Sequence, residues 1–520
     1  LQTHPAIQAS MEGDFGTIAD LVRLHAQHTP DHAALADAQQ ALDYGALDAL
    51  MDRIAASLQR DGLKPGDAIA VCAASSVNYA AVFLGALRAG VAVAPLAPGS
   101  TPASLARMIE DAEARILFTD ASAAEVVGPV KEGGIPRVAL DGSAAGQGLE
   151  SWLAPAGTQP RAVETQPSWP FNIIYSSGTT GEPKGIVQGH GMRWAHVQRG
   201  ARYGYGPDTV TLLSTPLYSN TTLVVFFPTI AFGGCVVLMP KFDALGYLQL
   251  AQKYRVTHTM LVPVQYQRLM AHPRFDAHDL SSFRFKFSTS APFNAALKAD
   301  VLARWPGGLI EFYGMTEGGG TCILEAHLNP TKLHTVGQPA EGSDIRLIDE
   351  DGNEIPRGNT ELAGEVVGHS AGMMTGYHRQ PAKTREAEWF DASGKRFIRT
   401  GDVGRFDADG FLTLFDRKKD MIISGGFNIY PSDLETVLRG HAAVADVAVI
   451  GVPSEQWGET PVAFVVRRGG HATSEDALLQ WANAQLGKTQ RLARLHFIDE
   501  LPRSAIGKVL KRELRELVGR

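Results

Sequence analysis

Residues 171–185 read FNIIYSSGTTGEPKG. FNIIYSS has the apolar content of a buried strand, but YSSGTTGEPKG (175–185) then brings three glycines, four Ser or Thr residues and one lysine. That composition suits neither a helix nor a regular strand. Such a loop can present backbone N–H groups, hydroxyls and an ammonium to oxyanions, which is the chemistry of a phosphate cradle. It is not a Walker A loop, because Lys184 is followed by Gly185 and the G-x4-G-K-[ST] spacing fails.

Working outward, the first 170 residues alternate helical and strand patterns. ALDALMDRIAASLQRD (46–61) keeps its apolar residues on one helical face, DAIAVCAAS (67–75) reads as a buried strand, and AAVFLGALRAG (80–90) as a helix stopped by Gly90. VAVAPL (91–96), ARILFTD (114–120), VTHTMLVP (256–263) and FRFKFSTSA (283–291) continue the strand rhythm. This alternation predicts parallel sheets covered by helices on both faces. From about residue 340 the texture becomes short strands and turns, with Asp351-Gly352 and Asp409-Gly410 as hairpin signals. After Asp420 a helix, two strands, another helix and a strand make up a small α+β set, so a boundary is expected near 416–419.

The chain has 520 residues, 44% apolar and 20% charged, with a net charge of −7. A chain of this length exceeds one folding unit, and neither a disordered nor a fibrous chain has this composition. The charge favours neither nucleic acid nor anionic lipid. Cys72, Cys235 and Cys322 are widely spaced and odd in number, which excludes a disulfide framework and a CxxC zinc site and fits a reducing, cytoplasmic compartment. The opening LQTHPAIQASMEGDF has no basic stretch leading into an apolar one, so no secretory signal is expected. LVVFFPTIAFGGCVVLMP (223–240) approaches the length of a membrane span, but Pro228 and Gly233-Gly234 are expected to break it into a short helix and a VVLM strand.

YSSGTTGEPKG resembles the phosphate-loop signature of the adenylate-forming (ANL) superfamily, which includes acyl-CoA synthetases, peptide-synthetase adenylation domains and luciferases. YGMTE (313–317), TGD (400–402), DRKKDMIISGGFNIYPSDLE (416–435) and PRSAIGKVLKREL (502–514) match the same family in the same order. The chain therefore looks like an AMP-forming acyl-CoA or aryl-CoA ligase. The resemblance implies an α/β and α+β multidomain fold: a large N-terminal domain (1–416) of two sheet-and-helix subdomains plus a small β-barrel-like subdomain, and a mobile C-terminal α+β domain (417–520). It also implies ATP, Mg²⁺ and CoA. A carboxylate attacks the α-phosphate of ATP to give an acyl-adenylate and pyrophosphate, and a thiol then displaces AMP.

Residue by residue, the resemblance places Ser176, Ser177, Gly178, Thr179, Thr180, Gly181 and Lys184 around phosphate and Tyr313 against adenine. It puts Thr316 on phosphate, Glu317 on Mg²⁺ and Asp402 and Arg417 on the ribose. A hard cation held to phosphate needs an oxygen ligand such as Glu317. Lys419 is the expected hinge, Gly425 and Gly426 face the pantetheine channel, and Lys508 bridges the carboxylate and the α-phosphate during adenylation. Tyr218, Ser219, Ser288, Thr289, Ser290, Gly314 and Gly318 are expected to line the acyl site. Phe427 stands where many relatives carry Glu.

In Pro216–Thr222, Ser219 replaces a histidine of many relatives and a following glycine is missing. His190 follows the phosphate loop, with a structural and a functional reading both open. Gly368–Gly372 (GHSAG) matches the GxSxG hydrolase pattern, but MMTGYHRQPAK, with Gly376 and Pro381, does not supply the long helix that such an elbow needs. A non-catalytic binding protein is disfavoured by the intact Lys184, Glu317, Asp402 and Lys508. A stand-alone enzyme loading an acyl carrier protein in trans is the alternative to a CoA ligase. The sequence names neither the acid (medium-chain, long-chain, alicyclic or aromatic) nor the oligomeric state, for which a homodimer is one expectation.

Overall fold

The computed structural model describes residues 4–128, 134–177, 183–417, 420–424, 427–454, 457–487, 490–504 and 507–518; at Ser177, Asp416, Arg417, Phe427 and Asn428 the description covers the backbone. Contacts divide the chain into two compact units. The first holds Leu1–Leu333, Ala340–Asp344 and His369–Ile398, and the second His334–Pro339, Ile345–Gly368 and Arg399–Arg520.

The first unit contains two large sheets. In one, Gln147–Gly148, Arg137–Ala139, Ala114–Thr119, Ala68–Cys72, Ala92–Pro95 and Pro170–Ser177 lie side by side, all parallel. The next two strands, Pro183–Gly189 and Gly376–Tyr377, add to this edge antiparallel. The strand–helix alternation expected at 171–177 is thus interrupted. The chain doubles back through the glycine-rich loop and enters helix His190–Arg199 only after the return strand. The other sheet runs Thr321–Glu325, Gly308–Gly314, Phe285–Ser288, His258–Leu261, Val210–Leu213, Cys235–Leu238, Ala33–Ala36 and Ala41–Asp43. It is parallel in its middle and antiparallel at both of these ends.

Helices Ile18–His28, Tyr44–Arg60, Val77–Arg88, His190–Arg199 and Asn220–Ala231 contribute to one continuous apolar core. Within it the rings of Phe171 and Phe227 meet edge to face at 4.9 Å, a favoured aromatic geometry. Pro228 does not end its helix as expected but lies within Asn220–Ala231. A proline there removes one backbone donor, and the next residue, Thr229, gives its hydroxyl to the carbonyl of Val225 at 2.7 Å. The expected strand follows at Cys235–Leu238, fully buried. Among the described residues no helix is long and apolar enough to cross a membrane.

In the second unit, Leu412–Arg417 pairs antiparallel with residues 402–406 of the preceding strand across the Asp409-Gly410 turn, as expected. The other expected hairpin is only half formed. Strand Asp344–Ile348 turns at Asp349 and returns as a single bridge, Ile348 to Glu354, with Ile355 N–H donating to the Leu347 carbonyl at 2.8 Å. Farther along, Val444–Ser454 and Gly458–Arg467 form a long antiparallel pair, flanked by Ile422–Ser424 with Phe427–Ile429 and by the parallel strand Arg494–Ile498. Alternate residues of Val444–Ser454 enter separate cores. Val447 and Val449 pack with Leu434, Leu438 and Leu478, while Ala448 and Ile450 pack with Leu501 and Leu514. Both faces are therefore covered, as expected for a small α+β layer. The 416/417 division falls within this unit, between the 399–417 strands and the C-terminal sheet.

Candidate active site

Two antiparallel strand pairs carry the first-unit motifs. In the first, Ser176 pairs with Lys184 and Ser177 with Pro183, the residues that flank the glycine-rich stretch. Gly178, Thr179, Thr180 and Gly181 of that loop lie outside the described residues. Tyr175 anchors the outgoing arm by donating its hydroxyl to Asp111 at 2.7 Å. Burial and that carboxylate push its phenol far up, so it stays protonated. The second pair, Gly308–Gly314 with Thr321–Glu325, ends at Tyr313 and Gly314 and delivers Thr316 and Glu317 on the connecting turn.

Tyr377 joins the two motifs. It pairs with Ile186 on the Lys184 strand, and its ring centroid lies 5.0 Å from the Lys184 ammonium. Its hydroxyl donates to Glu317 Oε1 at 2.8 Å. Burial first, and then the neighbouring carboxylate, push the Tyr377 phenol well above its ordinary range. The Glu317 carbonyl accepts from Met374 N–H at 2.7 Å, and the Thr316 carbonyl from Gln188 Nε2 at 2.8 Å. A cation, a carboxylate and an aromatic ring thus converge, with Glu317 Oε2 carrying no hydrogen bond among the described residues. An oxygen left in this way suits a hard cation that arrives with phosphate.

The expected acyl-site residues are spread over several elements. Ser219 caps helix Asn220–Ala231, its hydroxyl accepting from Thr221 N–H, and Tyr218 before it is half-buried. Ser288 ends its strand fully buried, its hydroxyl without a partner among the described residues. Thr289 is half-buried. Ser290 holds φ +80°, a strained value for a non-glycine residue, and its hydroxyl pairs with that of Thr221 at 2.6 Å. Gly318, at φ +73°, lies so close to the 370–372 turn that a Cβ would stand 1.9 Å from the Gly372 carbonyl oxygen. His190 is buried edge-on to Phe171 with its ring pushed down to about 4 by burial, so it is neutral.

In the second unit Asp402 and Arg417, both expected on the ribose, are register partners on adjacent strands. Lys508 sits in a tight turn: Ser504 N–H donates to the Lys508 carbonyl at 2.8 Å, and Lys508 N–H to the Ser504 hydroxyl at 3.2 Å. Gly507 takes φ +75° there, where a side chain would be strained. Arg503 braces the turn by donating to the Gly507 carbonyl and to Asp446, each at 2.6 Å. Lys419, Gly425 and Gly426 lie outside the described residues.

The GxSxG reading fails on geometry. Ser370 follows strand Gly364–His369, but the next elements are strand Gly376–Tyr377 and the short helix Pro381–Glu386 rather than a helix starting directly after the serine. Its hydroxyl donates to the Gly318 carbonyl at 2.8 Å while accepting from Gly372 N–H. Its neighbour His369 is tied to the Arg396 carbonyl. Ser370 is a brace for the Glu317 turn.

The pattern of AMP-binding enzymes matches residues 22–378, and that of the AMP-binding enzyme C-terminal domain matches 433–508. The chain belongs to the AMP-binding enzyme family. It is 33% identical over 508 residues to a feruloyl-CoA synthase of Amycolatopsis sp, covering 95% of this chain and 97% of that one. It is 31% identical over 520 residues with 97% and 98% covered to the indoleacetate–CoA ligase of Aromatoleum aromaticum. The fold superposes on ATP-bound MatB from Rhodopseudomonas palustris with a TM-score of 0.84 at 30% identity, covering 96% and 98% of the chains. This AMP-binding enzyme is an AMP-forming acid–thiol ligase, using a carboxylic acid, ATP with Mg²⁺, and CoA.

Three residues of this AMP-binding enzyme escaped the sequence reading: Tyr377, Gln188 and Arg193. Arg193 was detectable, because the buried face of its helix is His190, Arg193, Trp194 and Val197, the i, i+3, i+4, i+7 pattern of a core stripe. An arginine in that stripe needs an explanation. Burial alone pushes its guanidinium down to about 9.

Proposed function

We propose that this enzyme is a carboxylate–CoA ligase for aromatic carboxylic acids. The observation that carries the ATP side is the meeting of Lys184 and Glu317, from two separate motifs, at the single phenol of Tyr377. The aromatic choice is supported by the feruloyl-CoA and indoleacetate–CoA relatives. A carboxylate oxygen attacks the α-phosphorus as the bond to pyrophosphate breaks, and the CoA thiol, losing its proton, then takes the acyl group as AMP leaves. Lys184 offsets charge on the phosphates, Tyr313 stacks on adenine, and Asp402 with Arg417 holds the ribose. Thr316 contacts phosphate and Glu317 would hold Mg²⁺, an ion that supplies neutralisation of the charge developing on the pyrophosphate. Lys508 serves adenylation. A swing at Lys419, on the 416/417 boundary, then brings Gly425 and Gly426 to the thiol. Cys72, Cys235 and Cys322 are all buried and free, which suits a reducing cytoplasm.

The test is a carboxylate panel scored by pyrophosphate release, with and without CoA. Arylpropenoic and arylacetic acids should release pyrophosphate and yield a thioester with CoA. Release from fatty acids alone would overturn the aromatic assignment. A fatty acid–[acyl-carrier-protein] ligase of Streptomyces coeruleorubidus, 31% identical over 524 residues, favours carrier loading as the second reading. Acyl transfer to a phosphopantetheinyl carrier but not to CoA would establish that reading instead. Light scattering separates a monomer from a homodimer.

A further inference from the structure

Arg193 is a fully buried cation that makes no ion pair among the described residues. Its guanidinium lies 5.7 Å from the Phe171 ring and 5.6 Å from that of Phe227. It donates to three neutral amide oxygens: Asn172 Oδ1 at 3.1 and 3.0 Å, Asn220 Oδ1 at 2.8 Å, and Gln188 Oε1. Nη1 is buried with no partner. A charge held this way is expensive, and an apolar residue of similar volume would ordinarily serve a core position better.

What the charge does is set a direction. Gln188 Oε1 receives Arg193 and also Asn172 Nδ2, the latter at 2.9 Å. With the oxygen held by two donors, the Gln188 amide cannot flip, because its NH2 would then face a cation. Nε2 must point the other way, where it donates to the Thr316 carbonyl at 2.8 Å. Gln188 and Lys184 share one strand, and Thr316 precedes Glu317 on the turn that Tyr377 and Met374 hold from the other side.

We infer that Arg193 is a positioning residue for adenylation, acting through the fixed amide of Gln188 on the Thr316 carbonyl and hence on the turn bearing Thr316 and Glu317. This rests on the reading of that turn as the nucleotide side of the site.

The discriminating variant is Gln188→Glu. It gives Arg193 a carboxylate partner but has no N–H for the Thr316 carbonyl, so it separates support of the core from support of the turn. ATP–pyrophosphate exchange and thermal unfolding are measured on Gln188→Glu, Gln188→Met, Arg193→Met and the double Met variant. Gln188→Glu should unfold within a few degrees of the parent yet exchange about tenfold more slowly through kcat, since small displacements of reacting groups carry large rate penalties. The two Met variants should each lose about tenfold, and the double variant no more than either, because both act on one bond. Should Arg193→Met fail to fold, the two Gln188 variants still decide, as they keep Arg193. Exchange by folded Gln188→Glu within twofold of the parent overturns the inference, as do Met losses that multiply. Glu317→Gln is measured alongside. If it leaves exchange intact, the reading of the turn itself has failed, whereas a loss there with a silent Gln188→Glu condemns only the positioning role.

Discussion

The hydroxyl of Tyr377 donates to the carboxylate of Glu317 at 2.8 Å, while the face of the same ring lies 5.0 Å from the ammonium of Lys184. One side chain therefore holds a cation and an anion of two different motifs by two different parts of its surface. The ring contact and the hydroxyl contact are separable by substitution.

Tyr377→Phe keeps the ring beside Lys184 and removes the donor to Glu317. A hydrogen bond to a charged group is worth about 1.5–3 kcal/mol, so adenylation should slow about tenfold or more and require more Mg²⁺. Pyrophosphate release titrated against Mg²⁺ checks this. An unchanged Mg²⁺ dependence would mean that Glu317 does not need the phenol.

Lys508→Ala should slow adenylate formation by about 10²–10³-fold, the usual loss for one preorganised electrostatic donor. Thioester formation from a supplied acyl-adenylate should change far less. Single-turnover assays of each half-reaction measure both, and equal losses in the two would remove Lys508 from its proposed step.

Gly318→Ala should damage folding and activity together, because the left-handed backbone and the Gly372 carbonyl 1.9 Å from the new Cβ leave it no room. Ser370→Ala removes one brace from the same turn and should cost about 1 kcal/mol of stability, with adenylation kept within a few-fold. Thermal unfolding and pyrophosphate release on both variants test the contrast. Abolished activity in folded Ser370→Ala protein would reopen a nucleophilic role.

His258 is fully buried, its Nε2 donating to the Tyr203 carbonyl at 2.8 Å, and burial pushes it down to about 4. The unfolded chain takes up this proton near pH 6.5 while the folded chain does not. Stability from the neutral ring is thus complete above about pH 6.5 and is lost as pH falls from there toward 4. Between pH 7.5 and 5.5, the parent should lose about 1 kcal/mol more than His258→Gln. Urea unfolding at the two pH values measures the difference, and parallel losses in the two proteins would refute the assignment.

Strands such as Ala68–Cys72 and Cys235–Leu238 were legible because a strand covered on both faces must be apolar throughout, and that shows locally in sequence. The motif residues were legible because their types and order are characteristic. The bond between Glu317 and Tyr377 spans 60 residues, and that between Gln188 and Thr316 spans 128, so no local periodicity reports either one. Pro228 misled for a related reason. Its helix is held by burial on nearly every side, and that packing outweighs one missing backbone donor.

The return strand Pro183–Gly189 also bears on how the gene can vary in length. Lys184, Ile186 and Gln188 occupy alternate positions and face Ser176, Ile174 and Asn172 across the ladder. Inserting or deleting one codon between positions 184 and 188 would send either the lysine or the glutamine to the opposite face of the sheet. Two codons would restore the face but displace one residue from the other by about 7 Å along the strand. Neither change leaves both the Tyr377 ring and the Thr316 carbonyl within reach, so the spacing of four is itself under constraint, independently of the side chains at 185 and 187.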